Sequence, residues 1–379
     1  MVDINTCESC GRPVPVGDRV CLRSAGALLD ANGRPSRRHK PSVTVLSRQG
    51  ARSLASDDVA TLQCVANVRY HTIDGAPSRA QATVLLRGTE ILGVTNACLP
   101  VLDAALLDAL PDLRGIILYA TGYDHIDIEL LASRGVGLNV LPHYATGAVA
   151  EHAIAMLLSL ATRLHLAHDR SRGLVHSDTS LRGIELAGRT MGVLGVGRIG
   201  TRVAQLGSAL GMRVIGNDID PAAAAAARSR NIAMTSLPEL LARSDALVVC
   251  ASHAFGAPAA LGHAEMRQMR RGAVLVNVSR APLVDAAAAT AAVRAGQLRG
   301  YAVDDVVLDP QVDGDLLAEG RVLQTGHSAW WRDEVLERGR RMWAQHLLAA
   351  IEGRPLDAVP WPGHTASVTA PRAELAQRP

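Results

Sequence analysis

The sequence predicts an α/β protein with two Rossmann-like domains, each built on a doubly wound parallel sheet. Strand-like and helix-like apolar segments alternate between residues 43 and 122, and a second, longer alternation runs from Thr190 to Ile351. A long helix, expected from Ala148 to Leu164, separates the two alternations. Strands that alternate with helices indicate parallel sheets with crossover helices.

The elements of the first alternation are predicted from local apolar patterns. In chain order they are a strand at 43–46 (VTVL), a helix at 57–65, a strand-like segment at 82–88 (ATVLLRG), a helix at 102–110 (LDAALLDAL) and a strand at 116–122 (IILYATG). Residues 1–42 are rich in Gly, Pro, Arg and Ser without a clear period, so we expect an appended segment that need not be ordered.

The second alternation begins with a strand that enters a glycine turn at 190–200 (TMGVLGVGRIG), followed by a helix that Gly211 ends. Further strands are predicted at 212–218, 246–251, 273–279, 301–307 and 322–325, and a helix at 333–351. The Pro/Ala-rich tail at 359–379 is expected to be disordered.

The composition limits the class of protein. The chain has 379 residues, 48% of them hydrophobic and 20% charged, and its net charge is only +3. No long Lys/Arg run and no run of about 18 apolar residues stand out, so we expect neither a nucleic-acid face nor a membrane span. The first ten residues lack the pattern of a signal peptide, and six cysteines are too sparse for a disulfide scaffold. We therefore expect a cytoplasmic protein.

Lysine usage excludes several kinds of chemistry. Lys40 is the single lysine, and it lies in a polar N-terminal stretch. Schiff-base catalysis, a phosphate-binding P-loop and a lysine-assisted tyrosine reductase each need a lysine in a defined context. Lys40 lies in none of these contexts, so all three are disfavoured.

A cofactor site is predicted at the glycine turn, because G-x-G-x-x-G directly follows a strand and opens a helix. The glycines allow a tight turn, close approach to a pyrophosphate, and close packing of helix on strand. Asp218 ends the next strand, where an acid accepts hydrogen bonds from ribose hydroxyls and repels a 2′-phosphate. Asp220 adds negative charge, so NAD is favoured over NADP. The predicted cofactor-binding residues are Gly195, Gly197, Arg198, Ile199, Gly200 and Asp218.

Three candidate catalytic residues follow the glycine turn. Arg280 and His327 come directly after predicted strands, and Asp309 comes shortly after one. In an open parallel sheet, residues beyond the strand carboxyl ends line the ligand crevice. An arginine binds a carboxylate and polarises a carbonyl, and a histidine titrates near neutral pH and moves a proton. A carboxylate beside the histidine orients the ring and favours its protonated form.

These motifs, in this order, resemble the D-2-hydroxyacid dehydrogenases, a family that includes phosphoglycerate, formate and D-lactate dehydrogenases and the C-terminal-binding-protein corepressors. The resemblance covers about residues 43–358, and residues 120–157 (ATGYDHIDIELLASRGVGLNVLPHYATGAVAEHAIAML) are a close match to the family's linker region. It implies a flavodoxin-like substrate domain at 43–143 and 332–358, into which an NAD domain at 144–331 is inserted. It also implies a homodimer packed through AIAMLLSLATRL.

The resemblance implies a role for each site residue. Arg280 would bind the substrate, and His327, paired with Asp309, would donate or accept the proton. Asp304 would hydrogen-bond the nicotinamide carboxamide. The backbone of Thr121 and Gly122 would hold the substrate carboxylate. The aromatic side chains of Tyr144 and Trp330 would line the substrate pocket. The implied activity is NAD-dependent oxidoreduction of a small 2-hydroxy or 2-oxo acid, at the CH–OH group of the donor.

The chain departs from the family pattern at four points. Asp309 replaces the usual glutamate and is one methylene shorter, and Asp305 adds a second acid after Asp304. Pro282 follows Ala281 and is expected to push it toward an extended backbone, which would shift the loop that holds Arg280. Family members usually have a proline directly before the histidine, and this chain has Gly326 in that position.

Several alternatives stay open. An NAD(H)-sensing, corepressor-like binding protein would keep the same three residues, and the departures leave room for a phosphorylated or phosphonate substrate. Glu151 and His152 resemble a catalytic pair but lie in a motif that is interpreted as structural. Cys7 and Cys10 form half of a zinc knuckle that Cys21 and His39 could complete only with unusual spacing, so we predict no metal site.

Overall fold

The computed structural model describes residues 40–253, 258–354 and 356, together with the backbone of the short strands β1 (Asn5–Thr6) and β2 (Pro13–Val14). The candidate zinc residues and the predicted tail at 359–379 lie outside this part. The chain divides into two compact units. The first comprises residues 1–120, 128–140 and 340–379, and the second comprises residues 121–127 and 141–339.

The first unit is built on a parallel sheet of five strands in the order β4-β3-β5-β6-β7. The strands are β3 (Ser42–Ser47), β4 (Asn67–Thr72), β5 (Ile91–Thr95), β6 (Gly115–Tyr119) and β7 (Gly137–Asn139). The helices are α1 (Ser56–Val65), α2 (Arg79–Leu85), α3 (Ala104–Asp108) and α4 (Ile128–Ser133). This order is the flavodoxin-like arrangement that was predicted.

The segment at 82–88 was predicted as a strand, and this prediction was wrong. Helix α2 covers most of it, since the Ser78 hydroxyl accepts the Gln81 N–H while the Gln81 side chain accepts the Ser78 N–H. This capping box starts a helix in spite of the β-branched residues that follow. Val84 is 67% exposed, so the apolar run does not form a buried strand. The strands of this region are β4 and β5, which the apolar pattern did not reveal.

The second unit is built on a parallel sheet of seven strands in the order β10-β9-β8-β11-β12-β13-β14. The strands are β8 (Thr190–Leu194), β9 (Arg213–Asn217), β10 (Ala233–Met234), β11 (Ala246–Val249), β12 (Ala273–Asn277), β13 (Leu298–Val303) and β14 (Val322–Gln324). Each strand predicted in this region overlaps an observed strand, but β13 ends at Val303 rather than at residue 307, and β10 was not predicted. The chain continues on one side of β8 to β9 and β10 and then crosses to β11 on the other side, so the switch point lies between β8 and β11.

The helices after residue 140 are α5 (Thr146–Thr162), α6 (Leu164–Ser171), α7 (Arg198–Ala209), α8 (Pro221–Arg228), α9 (Leu237–Arg243), α10 (His263–Gln268), α11 (Ala286–Arg294), α12 (Gly314–Ala318) and α13 (Asp333–Glu352). Gly211 ends α7 as predicted, with a φ of +76° and a hydrogen bond from the Met212 N–H to the Gly207 carbonyl. Helix α5 ends at Thr162, two residues before the predicted end, because Arg163 adopts a left-handed backbone (φ +57°).

Helix α5 packs against α7 and the strands β12 and β13. Ala150, Ala153 and Leu157 are fully buried, and Ile154 and Met156 are nearly so. Much of the apolar surface that was assigned to dimer packing is therefore already covered within this unit. In the described part of the chain no single helix is long and apolar enough to cross a bilayer; only α5 and α6 together meet that test, across a 63° bend.

Candidate active site

The predicted cofactor turn lies at the carboxyl end of β8, next to the switch point. Gly195 has a φ of +87°, and a Cβ there would overlap the backbone of Ala251, which follows β11. A Cβ on Gly200 would overlap the Gly195 carbonyl oxygen. Gly197 precedes α7, and a Cβ there would meet no atom within 4 Å. The first and third glycines are thus required by packing, while the second leaves open space at the helix N-terminus for a phosphate.

Asp218 follows β9, and both of its carboxylate oxygens are held by backbone. Oδ2 accepts the Val196 N–H at 2.7 Å, and Oδ1 accepts the Asp220 N–H at 2.9 Å. Each carboxylate oxygen can accept a further hydrogen bond, so the geometry fits the ribose hydroxyls of a dinucleotide. Arg198 is exposed and Ile199 is half-buried in the first turn of α7. The sequence analysis did not single out Ile219, which follows Asp218 and is 98% exposed.

Arg280 lies three residues beyond β12, and its guanidinium is fixed on two sides. Nε donates to Asp124 Oδ1 at 2.6 Å, and Nη1 donates to the Ser279 carbonyl at 3.2 Å. The Asn277 side chain donates to the Arg280 carbonyl at 2.8 Å and so holds the backbone as well. Asp124 was not predicted as a site residue, because its 156-residue separation from Arg280 hides the pairing.

The backbone around Arg280 differs from the sequence-based expectation. Ala281 was predicted to be extended before Pro282, and this was wrong, because Ala281–Leu283 forms a 3₁₀ turn. The extended residue is Arg280 itself, with φ −130° and ψ 138°. Proline is accommodated at the start of the turn, where it lacks no required N–H.

The loop Thr121–Asp127 belongs to the second unit and brings Gly122 to the Arg280 guanidinium. A Cβ on Gly122 would overlap Arg280 Nη2 and lie 2.6 Å from Cζ. The Thr121 hydroxyl donates to the Leu141 carbonyl at 2.8 Å and anchors the start of the loop. The structure thus brings together the arginine and the backbone that were predicted to bind one carboxylate.

Asp304 is buried at the end of β13 and organises the loop that carries His327. Its Oδ1 accepts the Thr325 hydroxyl at 2.7 Å and the Ser328 N–H at 2.8 Å, and its Oδ2 accepts the Ala329 N–H at 3.1 Å. A buried carboxylate with several donors is a strong anchor for a loop. The nicotinamide contact predicted for Asp304 stays a prediction.

His327 is exposed, and its backbone is left-handed. Gly326 and His327 both have a φ of +61°. Such a φ is strained for a residue with a Cβ, and proline could not adopt it at position 326, because its ring fixes φ near −65°. Gly326 therefore permits a loop conformation that the proline usual in the family would prevent. Strained backbone of this kind concentrates at functional sites.

Asp309 is exposed and closes a turn after β13. Its Oδ1 accepts the Gln311 N–H at 2.8 Å, and its carbonyl accepts the Asp313 N–H at 2.8 Å. Within the described residues, no hydrogen bond or ion pair joins Asp309 to His327. The structure therefore places the predicted acid and the predicted base in separate loops, each with its own support.

His152, on α5, supports the His327 loop from within the unit. Its Nε2 lies 3.0 Å from the Thr325 hydroxyl, and its Nδ1 lies 3.3 Å from Arg332 Nη2. Because Thr325 donates to Asp304, these contacts fit an imidazole that donates from Nε2 and accepts at Nδ1. Burial lowers the pKa of His152, Asp304 opposes this, and Arg332 lowers the pKa further. The sequence interpretation of His152 as structural left out this contact with the site loop.

The two predicted pocket aromatics differ in exposure. Tyr144 is 7% exposed, and its carbonyl accepts a hydrogen bond from Arg338 Nε at 3.1 Å. Trp330 is half-buried and makes an edge-to-face contact with Trp331, with ring centroids 4.9 Å apart. Trp331 is 61% exposed. The solvent-facing indole of Trp331 therefore packs against Trp330. Aromatic pairs prefer this edge-to-face geometry.

Comparison with known proteins gives a consistent result. The family model of the D-isomer specific 2-hydroxyacid dehydrogenase NAD binding domain matches residues 154–329. The D-3-phosphoglycerate dehydrogenase of Mycobacterium leprae is 31% identical over 303 residues, which are 80% of this chain but 56% of that protein. The chain thus spans only about half the length of this relative. The glyoxylate reductase of Aeropyrum pernix is 32% identical over 67% of this chain and 78% of its own length.

Among solved structures, the D-lactate dehydrogenase of Aquifex aeolicus, in complex with NAD and lactic acid, matches with a TM-score of 0.66. It is 27% identical, and the match covers 82% of this chain and 96% of that chain. The parallel-sheet architecture agrees with these matches. The chain belongs to the D-isomer specific 2-hydroxyacid dehydrogenase family.

Proposed function

We propose that this protein is an NAD-dependent oxidoreductase that transfers a hydride between nicotinamide and C2 of a small 2-hydroxy or 2-oxo acid. The observation that carries the proposal is the placement of Arg280 against Gly122, beyond the sheet edge that bears the dinucleotide turn. A guanidinium group that lies beside the peptide backbone is suited to bind a planar carboxylate. Relatives named as a glyoxylate reductase and a D-lactate dehydrogenase support the same substrate class.

The cofactor would be held by the glycine turn, the N-terminus of α7 and Asp218. These residues fit a dinucleotide. The backbone packs closely at Gly195 and Gly200, where a Cβ would overlap other backbone atoms, and space remains at Gly197, where a phosphate would approach. Asp218 would accept hydrogen bonds from the adenosine ribose and repel a 2′-phosphate, which favours NAD. When bound, NADH supplies the hydride.

The substrate would be oriented by the arginine side of the site. Arg280 Nη2 and the backbone of Thr121 and Gly122 would hold the carboxylate, and the positive charge would polarise the neighbouring carbonyl. Fixed donors of this kind cost little reorganisation when negative charge develops on the carbonyl oxygen. Tyr144 and Trp330 would limit the size of the group attached to C2.

His327 would give a proton to the carbonyl oxygen in reduction and take it back in oxidation. Asp304 and His152 would hold its loop, because both contact Thr325 and Asp304 also binds the two residues after His327. The resemblance pairs His327 with Asp309, but no hydrogen bond or ion pair joins these two side chains within the described residues, so we expect Asp309 to contribute only weakly to the orientation of the ring. We also propose that the protein acts in the cytoplasm as a homodimer, without nucleic-acid or membrane partners.

The first test follows NADH absorbance with glyoxylate, pyruvate, hydroxypyruvate, phenylpyruvate and phosphonopyruvate. The expected result is turnover of at least one unphosphorylated acid, lost by about 10²-fold or more in His327→Ala. Arg202→Ala, on the exposed face of α7, is the matched control and should keep wild-type rates. NADH binding without turnover of any acid would instead favour an NAD(H)-sensing protein.

A further inference from the structure

A cavity lies at the amino edge of the seven-stranded sheet, opposite the edge that carries the glycine turn. Its volume is about 380 Å³, and its lining combines three arginines with one hydroxyl and two apolar side chains: Thr190, Arg213, Ile215, Ala242, Arg243 and Arg270. Thr190 starts β8 and Gly195 directly follows this strand, so about 16 Å of strand separates the cavity from the glycine turn. The cavity is therefore separate from the site proposed for the cofactor.

The sheet topology brings the three arginines together. Thr190 and Arg213 are paired at the first positions of β8 and β9. Neighbouring strands lie about 4.8 Å apart, so these two residues open onto the same end of the sheet. Arg243 is the last residue of α9, and Arg270 lies three residues before β12. Residues that are distant in the sequence thus meet at one cavity.

Two of the lining arginines are each paired with a carboxylate. Arg243 Nη1 lies 2.6 Å from Glu239 Oε1, and Arg270 Nη1 lies 3.0 Å from Asp245 Oδ1. The second carboxylate oxygen of Asp245 accepts the Thr190 N–H at 2.9 Å. Asp245 is therefore held by the start of β8 as well as by the arginine, and its position is fixed.

The other arginines around the cavity exceed the available acids. Arg189 Nη1 lies 3.7 Å from Asp245 Oδ1, so it shares the carboxylate that Arg270 already uses. Arg213 donates its backbone N–H to the Arg189 carbonyl, but within the described residues its side chain has neither a hydrogen bond nor an ion pair. Four guanidinium groups thus face two carboxylates, which leaves two positive charges uncompensated.

We propose that this cavity binds the phosphate monoester group of a small metabolite. Such a group carries about two negative charges near neutral pH, which match the two uncompensated positive charges. The planar guanidinium of arginine donates parallel hydrogen bonds to phosphate oxygens, and Thr190 adds a hydroxyl to the lining. The volume equals that of about a dozen water molecules and suits a compact ligand. The proposal does not depend on the dehydrogenase activity.

The test measures the binding of glycerol 3-phosphate to the protein saturated with NADH, by isothermal titration calorimetry at pH 7.5 and low salt. NADH keeps the probe out of the dinucleotide site. We expect one site per chain, and Arg213→Gln should weaken binding about tenfold, the effect of losing one charge-assisted hydrogen bond. Because the Arg213 side chain has no described partner to lose, the unfolding temperature and the NADH affinity should stay at wild-type values.

A second variant adds a charge without removing a contact. Ala242 lines the cavity and is an exposed residue of α9. Ala242→Glu should weaken binding of glycerol 3-phosphate at least tenfold, because the new carboxylate repels the phosphate. Arg87→Gln is the matched control, since it removes one positive charge at an exposed side chain in the other unit. It should bind the probe as the wild type does.

Three results would overturn the proposal. The first is a wild-type protein that does not bind glycerol 3-phosphate in the presence of NADH. The second is binding that Arg213→Gln and Ala242→Glu leave unchanged, or that Arg87→Gln weakens equally, because the probe then responds to another site or to net charge. The third is malonate that binds as tightly as glycerol 3-phosphate, which would assign the cavity to dicarboxylates instead of phosphate monoesters.

Discussion

The arginine side and the histidine side of the candidate site are organised in different ways. Arg280 is held directly by Asp124 and Ser279, and its guanidinium lies against Gly122. His327 is exposed on a left-handed backbone, and its loop is held through neighbours that bind Asp304. The comparison indicates that the binding half is built around the functional group itself. The proton-transfer half is built around the backbone that carries the functional group.

The largest expected effect comes from the space at Gly122. In Gly122→Ala the new Cβ would overlap Arg280 Nη2, so the guanidinium has to move away from its present position. Displacement of a substrate-orienting group by about 1 Å lowers rates on the order of 10²-fold, so we expect kcat/KM to fall 10²- to 10³-fold. Steady-state kinetics with the best acid of the panel measures this.

Gly147→Ala provides the control for that change. Gly147 lies in the first turn of α5, and a Cβ there meets no atom within 4 Å. Its activity should match the wild type, and its stability should rise slightly, because alanine favours a helix. Activity of Gly122→Ala within threefold of the wild type would show that Arg280 tolerates displacement.

The second effect concerns the support of the His327 loop. Asp304→Asn replaces an oxygen acceptor by an NH₂ group that faces the backbone N–H donors of Ser328 or Ala329. A buried donor left without its acceptor costs roughly 2–4 kcal/mol, so the free energy of unfolding should fall by about that amount. Urea denaturation measures the change. Asp305→Asn, at the next and more exposed residue, should change it by less than about 0.5 kcal/mol.

The sequence predicted the positions of the site residues better than their partners. Gly195, Asp218 and Arg280 follow strand ends, and the order of parallel strands brings such ends to one edge. The pairing of Arg280 with Asp124 depends on a loop conformation and on contacts across 156 residues, which no local pattern encodes. The left-handed backbone of Gly326 and His327 was likewise unpredictable, because glycine permits a positive φ without requiring it and histidine favours a negative φ.

The same limit explains the wrong strand at 82–88. Apolar β-branched residues favour a strand only where a sheet face covers them. Here two polar side chains, Ser78 and Gln81, cap a helix, and Val84 is left exposed. A short apolar run between polar residues is ambiguous by periodicity alone. Longer runs with glycine turns, such as β8 and the start of α7, were assigned correctly.

A third, smaller effect tests whether His152 supports the histidine side. Because folding lowers the pKa of His152 below its ordinary 6.5, the unfolded chain binds a proton at pH values where the folded chain does not. The stability that this site contributes is complete above pH 6.5 and is lost as the pH falls from 6.5 through the lowered value. The unfolding free energy of the wild type should therefore decrease between pH 7.5 and 5.5.

In His152→Gln this part of the pH dependence should disappear, while an amide keeps one donor for Thr325 and one acceptor for Arg332. At pH 7.5 the variant should lose about 1 kcal/mol, the net value of a hydrogen bond. His176→Gln, at an imidazole that is 79% exposed, is the matched control and should keep the wild-type slope. An unchanged slope in His152→Gln would remove His152 from the support of the loop.

The smallest effect is expected at Asp309, and it decides how the histidine side works. Its carboxylate is exposed and accepts the Gln311 N–H, so its charge is screened by water and it reaches His327 only weakly. Asp309→Asn should therefore lower kcat by no more than about threefold, a free-energy change of less than about 1 kcal/mol. The asparagine oxygen can still accept the Gln311 N–H, so the turn should keep its conformation. The pH profile of kcat should therefore keep its shape. A fall of 10²-fold, with the proton-donor limb moved to lower pH, would mean that Asp309 pairs with His327 in the loaded enzyme. In that case both halves of the site would be built around their functional groups.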